Sequence, residues 1–209
     1  MTNYKKTKQS GLLIVISGPS GAGKGTVCKS LLENSNKLKL SISVTTRRPR
    51  LGEVEGINYY FISHGRFNEM MDSGELLEYA RVYDNYYGTP KEEVLKELSL
   101  GNDVILEIDI QGALKVKSEF PDGVFIFIMP PSMEELKNRI KNRGTETENE
   151  LSKRFKASYE EINYISKYNY VIINDRIKEA VKKVESIIIA EKCRVDRLNS
   201  KLEDITGGK

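Results

Sequence analysis

Apolar residues fall along this chain in short β-branched runs, and the stretches between them carry helical spacing. The runs are Leu12–Ile16, Ser41–Val44, Val104–Ile108, Val124–Met129 and Tyr170–Ile173. Each is nearly continuous, as expected of strands buried on both faces of a parallel sheet. Between them, Ser132 and Glu135 frame a capping box, and Leu136 and Ile140 follow on one helical face. Thr89 stands as a cap before Pro90 at a first helical position, with Glu92 three residues beyond that cap. The segment Ile177–Leu202 reads as one amphipathic helix. Strands alternating with helices predict an α/β fold, a parallel sheet flanked by helices on both faces.

Two stretches interrupt this rhythm. Thr45 to Pro90 is rich in Arg, Gly and Tyr, with strand-like pieces at Tyr59–Ile62 and Leu76–Val82. It predicts a small α+β insertion. The polar stretch Asn142–Glu150, between two helical segments, predicts a mobile lid.

Composition acts mainly by exclusion. The 209 residues suit one domain with modest insertions. A net charge of +3 is too small for a dedicated nucleic-acid binder. The single histidine, His64, and two cysteines, Cys28 and Cys193, cannot build a zinc site rich in His or Cys. The cysteines lie near opposite ends and read as free thiols of a reducing compartment. No apolar run approaches the ~20 residues of a membrane span. The run after the basic N-terminus is shorter than a secretory core of ~7–15 residues. The expectation is a cytosolic protein without a membrane partner.

The strongest local motif is Gly18-Pro19-Ser20-Gly21-Ala22-Gly23-Lys24-Gly25-Thr26. It follows the run Leu12–Ile16 and opens a helix through Val27, Leu31 and Leu32. That is the context of a phosphate-binding P-loop. Glycines let successive N–H groups ring an anion, and the helix N-terminus adds positive partial charge. Lys24 would neutralise the β- and γ-phosphates. Gly25 stands where Ser or Thr commonly follows the Lys, so Thr26 would meet Mg²⁺ either directly or through water.

A second constellation is more specific. Arg47, Arg48 and Arg50 flank Pro49, and Tyr59 and Tyr60 follow. Arginine forks bind phosphate bidentately, and phenols add neutral donors. Together with the P-loop, this segment resembles the guanylate kinase family. The resemblance runs from Leu12 to about Ile189. It includes Gly74–Ala80, Asn85–Thr89, Glu107–Gly112 and Arg143–Glu148, in the family's order.

The resemblance implies a P-loop NTPase core over residues 1–44, 91–131 and 166–209. It implies a GMP-binding domain over 45–90 and a helical lid region over 132–165. Gly18 through Thr26 would bind ATP. Arg47, Arg50, Tyr59 and Tyr87 would hold the GMP phosphate. Ser43, Glu78, Thr89 and Asp109 would contact guanine. Lys24, Arg47, Arg139, Arg143 and Arg154 would serve catalysis. Thr26, or Glu107 through water, would meet Mg²⁺. Guanine offers N1–H and a 2-amino group side by side, and a carboxylate such as Glu78 accepts both. The implied reaction is ATP + GMP → ADP + GDP by a monomer or homodimer. Two alternatives stay open: a different phosphorylated acceptor, and a non-catalytic peptide-binding module of the same architecture. Lys115, Lys117, Lys137 and Lys141 read as solvated surface, and Tyr159, Tyr164 and Tyr168 as packing residues.

Overall fold

A computed structural model describes residues 11–207 except 34, 36, 83 and 142–147. In chain order it contains β1 (Leu13–Ser17), α1 (Lys24–Glu33), β2 (Leu38–Leu40), β3 (Val44–Thr45), β4 (Tyr60–Phe61) and α2 (His64–Asp72). Then come β5 (Leu76–Val82), β6 (Asn85–Pro90), α3 (Lys91–Ser99), β7 (Asp103–Glu107), α4 (Ile110–Glu119) and β8 (Val124–Met129). The chain continues through α5 (Met133–Lys141), α6 (Glu148–Ile162), β9 (Tyr170–Ile173), α7 (Ile177–Lys192) and α8 (Val195–Thr206).

Five strands form a parallel sheet in the order β2-β7-β1-β8-β9. Side-chain alternation along β1 divides the core. Ile14 and Ile16 pack on one face with Val27 and Leu31 of α1 and Val181 and Val184 of α7. Leu13 and Val15 point to the other face, where Val94 of α3 and Val116 of α4 cover them. Both faces are therefore buried, which is why the strand runs are continuously apolar. The predicted α/β class is the observed one.

A second sheet, in the order β4-β3-β6-β5, stands beside the first. Its own small core gathers Val44, Phe67, Met70 and Leu76. The strand predicted at Ser41–Val44 needs correction here. The edge strand of the main sheet is Leu38–Leu40, and Val44 pairs instead with Tyr60 and Gly88 in the second sheet. The edge position explains the miss. Lys39 is exposed between Leu38 and Leu40, so no continuous apolar run marks the strand.

Two further corrections concern helix ends. The predicted helix Ile177–Leu202 is two helices, because the chain turns at Cys193 and Arg194. The N–H groups of these residues reach back to Ala190 and Glu191 in tightened bonds. Thr89 does not cap α3. Pro90 is the capping residue, without a side-chain bond, and Thr89 belongs to β6. The capping box at Ser132 forms by half. Its hydroxyl accepts the Glu135 N–H at 3.0 Å, but the Glu135 carboxylate turns to Arg139. Leu136 and Ile140 are buried as expected. Cys28 and Cys193 are free thiols. Among the described residues, no helix is long and apolar enough to cross a membrane.

Candidate active site

Parallel strands place their carboxyl ends along one edge of the sheet, where open α/β folds bind ligands. The loop 18–23 leaves β1 there and α1 begins at Lys24. Gly18, Gly21 and Gly23 have φ of 139°, 87° and 89°. The space is as restrictive as the dihedrals. A Cβ at Gly18 would lie 2.2 Å from the Ile128 carbonyl oxygen, and one at Gly23 would lie 2.5 Å from the Asn174 amide nitrogen. Asn174, at the end of β9, is buried and donates its side-chain N–H to the Ala22 carbonyl at 2.8 Å. It therefore props the loop from below.

Charged groups converge on this loop. The Lys24 ammonium donates to the carbonyls of Gly18 at 2.7 Å and Pro19 at 3.2 Å. Arg154, on α6, donates to the Ser20 hydroxyl at 3.3 Å. Glu161, two turns along the same helix, faces the Ser20 backbone, whose N–H favours its ionised form. Burial raises its carboxyl above the ordinary range, although Lys24 opposes that shift. Its second oxygen is buried and has no hydrogen-bond partner among the described residues. Glu107, ending β7, places its carboxylate against Gly25.

The other side of the site comes from the second sheet. Residues of a strand alternate between faces, yet Leu76, Leu77 and Glu78 are all buried. A bulge accounts for this. Leu76 pairs with Pro90 and Glu78 with the adjacent Thr89, so two steps on β5 match one on β6. Leu76 then enters the small core, Leu77 the main core, and Glu78 the ligand crevice.

Glu78 is 6% exposed and accepts the Thr89 hydroxyl at 2.6 Å. Burial pushes its carboxyl up to about 7. The Thr89 bond and Lys115 oppose that shift, and Asp109 adds to it. Asp109 caps α4 by accepting the Gly112 N–H at 2.7 Å, and burial raises its carboxyl too. Lys115, further along α4, donates to the Tyr79 carbonyl and lies over the Tyr79 ring, 4.5 Å from its centroid.

One cavity of about 310 Å³ joins these groups. Gly18, Gly21 and Gly23 with Ser20, Lys24 and Arg154 line one part, and Ser43, Arg50, Tyr59, Glu78, Tyr87 and Asp109 line another. Its volume lies at the lower end of small-molecule sites, ~300–1,000 Å³.

Comparison with known proteins matches this arrangement to a family. The family model for guanylate kinase covers residues 10–191. A guanylate kinase of Caldanaerobacter subterraneus subsp. tengcongensis is 70% identical over 190 residues, 91% of this chain and 92% of that one. The chain belongs to the guanylate kinase family. A guanylate kinase of Clostridium tetani is 61% identical over 194 residues, covering 93% of each chain. The crystal structure of guanylate kinase from Anaplasma phagocytophilum superimposes with a TM-score of 0.79 at 36% identity. It covers 94% of this chain and 96% of that one.

Not every residue assigned by the guanylate kinase resemblance reaches the cavity. Arg50, Tyr59 and Tyr87 line it, but Arg47 stands one layer behind. Its guanidinium is held by both oxygens of Glu53, each at 2.9 Å, and its Nε donates to the Tyr87 hydroxyl at 3.2 Å. That bidentate pair raises the Arg47 pKa against the opposing effect of burial. Partial burial, with the Glu107 charge, pushes Tyr59 up to about 12, so it remains a neutral donor. Thr89 is fully buried behind Glu78. Thr26 is exposed on the first turn of α1. Arg139 is tied to Glu135 and to the Asn174 carbonyl. Arg143 and residues 142–147 of the predicted lid lie outside the described residues. Sequence reasoning passed over Glu53 and Glu161; it read Lys115 as solvated surface, and Lys115 is exposed, its tie to Tyr79 coming in addition. Glu161 and Lys115 meet partners on other segments, and Glu53 meets Arg47 six residues back in the same irregular loop; helical periodicity registers none of these.

Proposed function

We infer that the chain transfers the γ-phosphoryl group of ATP to GMP, giving ADP and GDP. The observation that carries this reading is the shared cavity. A phosphate loop opens at one end, and a buried carboxylate that suits guanine stands at the other. In this reading the loop amides, Lys24 and Arg154 hold the ATP phosphates. Arg50, Tyr59 and Tyr87 hold the acceptor phosphate, with Arg47 oriented beside them by Glu53. Glu78 accepts guanine N1–H and the 2-amino group, Asp109 lies alongside, and Ser43 donates to O6. Thr89 has committed its hydroxyl proton to Glu78, so its part is to orient that carboxylate.

The acceptor is already a nucleophile. A phosphate monoester has a second pKa near ~6 and is mostly dianionic at neutral pH. An acceptor oxygen forms a bond to the γ-phosphorus while the bond to the β-phosphate oxygen breaks and ADP leaves. The protein contributes alignment and neutralisation of charge. Residues 45–90 would carry the acceptor, and Arg139 and Arg143 would join from the lid region 132–165 when it closes. Among the described residues no three His, Cys, Asp or Glu side chains cluster to hold a metal. Oxygen donors near the loop instead suit an ion shared with phosphate groups. Glu107 through water and the Thr26 hydroxyl would hold Mg²⁺ brought by ATP, and the ion would supply charge neutralisation. The reading places a monomer or homodimer in the cytosol.

The test is ADP release with GMP, AMP, CMP, UMP and dTMP as separate acceptors. GMP should exceed AMP by ~10⁴-fold in kcat/KM, because adenine leaves the carboxylate without donors. Comparable turnover of AMP would defeat the assignment.

A further inference from the structure

Gly112 sits in the first turn of α4, at an ordinary helical position without positive φ. Nothing in its backbone requires glycine there. Glycine is the weakest helix former after proline, so another residue would favour the helix more. The reason for glycine lies across the site. A Cβ on this residue would stand 2.4 Å from Glu78 Oε2 and 2.9 Å from Glu78 Cδ. It would also stand 3.2 Å from Asp109 Oδ1, a tight contact that the surroundings could absorb by a small shift. The Glu78 contact cannot be absorbed so easily. Its other oxygen is fixed by Thr89 at 2.6 Å, and its strand is locked in register by the bulge.

The same glycine has a second tie to the acids. Its N–H donates to Asp109 at 2.7 Å. The backbone of Gly112 thus holds one carboxylate, while its missing side chain leaves room for the other. Lys115, one turn further on, anchors the helix to the strand that carries Glu78.

We propose that Gly112 is a specificity-positioning residue, which sets the place of the Glu78 carboxylate against the acceptor base. The proposal rests on the reading of Glu78 given above. The carboxylate reaches two adjacent donors of guanine only if both oxygens lie in the plane of the base, and a methyl group at 112 would push one of them out. What is lost is the simultaneous acceptance of N1–H and the 2-amino group by the two oxygens, so discrimination between guanine and a base lacking the 2-amino group reports on it.

The experiment compares the full-length wild type with Gly112→Ala, Glu78→Asp, the double variant and Glu78→Gln. Readouts are kcat and KM for GMP and IMP, ATP affinity by calorimetry, and Tm. Gly112→Ala should raise KM for GMP ten- to a hundredfold and shrink the GMP-over-IMP ratio at least tenfold. ATP affinity and Tm should stay near wild type. Glu78→Asp draws the carboxylate back by one methylene and makes room for the methyl group. Adding Gly112→Ala to it should cost less than threefold. An equal cost in both backgrounds would overturn the proposal, as would an unchanged GMP-over-IMP ratio in Gly112→Ala. If Gly112→Ala folds only with Glu78→Asp, the steric argument is upheld; failure to fold in both backgrounds defeats it. Glu78→Gln separates the layers. Wild-type GMP preference in that variant would remove Glu78 from base reading altogether, whereas its loss with an innocuous Gly112→Ala would overturn only the role of Gly112.

Discussion

Glu78 shows how much a single residue owes to its surroundings. Burial holds its carboxyl at about 7, against an ordinary value of 4.5. Between these values the folded protein keeps a proton that the unfolded chain has lost. The group's contribution to stability is therefore fully present below pH 4.5 and is lost as pH rises through about 7. Binding has the opposite dependence, because guanine requires the ionised form. GMP should bind more tightly as pH rises toward neutrality and should expel a proton at pH ~6.5. Calorimetry in two buffers of different ionisation enthalpy measures that proton. It should be absent in Glu78→Gln, while titration of the GMP phosphate is common to both proteins. Equal proton release from the two would contradict the assignment. Lys24 gives a complementary expectation. Lys24→Ala should cost ~10²–10³ in kcat with the fold intact, since it removes a group facing charge that grows in the transition state. Lys24, Glu78 and Asp109 were all legible from motif and resemblance. The burial of Glu78 and its bond to Thr89 were not, because a cross-strand register and a bulge determine them.

At the scale of elements, the apolar runs located four of the five main-sheet strands, and the full length of β5 was read as Leu76–Val82. The fifth, β2, is a short edge strand whose alternation is only three residues long. The junction of α7 and α8 escaped for a different reason. Amphipathic spacing continues through Cys193, and the turn depends on the buried carboxylate of Glu191. Glu191 accepts the Tyr170 hydroxyl at 2.5 Å and Arg197 at 2.9 Å, and it pairs with Arg194. Burial pushes its carboxyl up, but these donors outweigh that effect and hold it below the ordinary range. Glu191→Ala would strand a phenol and a guanidinium around a buried gap. It should lower stability by ~1–3 kcal/mol, or several degrees in Tm for a chain of about this size. The junction does not line the ligand cavity, so kcat for GMP should hold. A melt at wild-type temperature would show the junction to be held by packing alone.

For the whole molecule, α4 is a member that touches both sheets. It begins at the end of β7, packs Ala113 and Val116 into the main core, and reaches β5 through Lys115. The two halves of the site thus share one rigid strut. Lys115→Ala should raise KM for GMP about three- to tenfold, the loss of one hydrogen bond and one cation–π contact. ATP affinity should change little, since the phosphate loop belongs to the main sheet alone. A parallel loss for both nucleotides would show that the contact supports the fold in general. This strut was hidden in the sequence, where Lys115 and Lys117 look like any solvated helix surface.

The bulge on β5 has a consequence for how this site can change over generations. Three successive codons, for Leu76, Leu77 and Glu78, address three separate compartments, and only an odd residue in the strand keeps them apart. Substitution at any one of them disturbs one compartment. Deletion of a single codon there would restore strict alternation and shift the address of its neighbours together. An apolar side chain would then face the base, and the acid would face a core. The preference for a base is thus written partly in the parity of the strand.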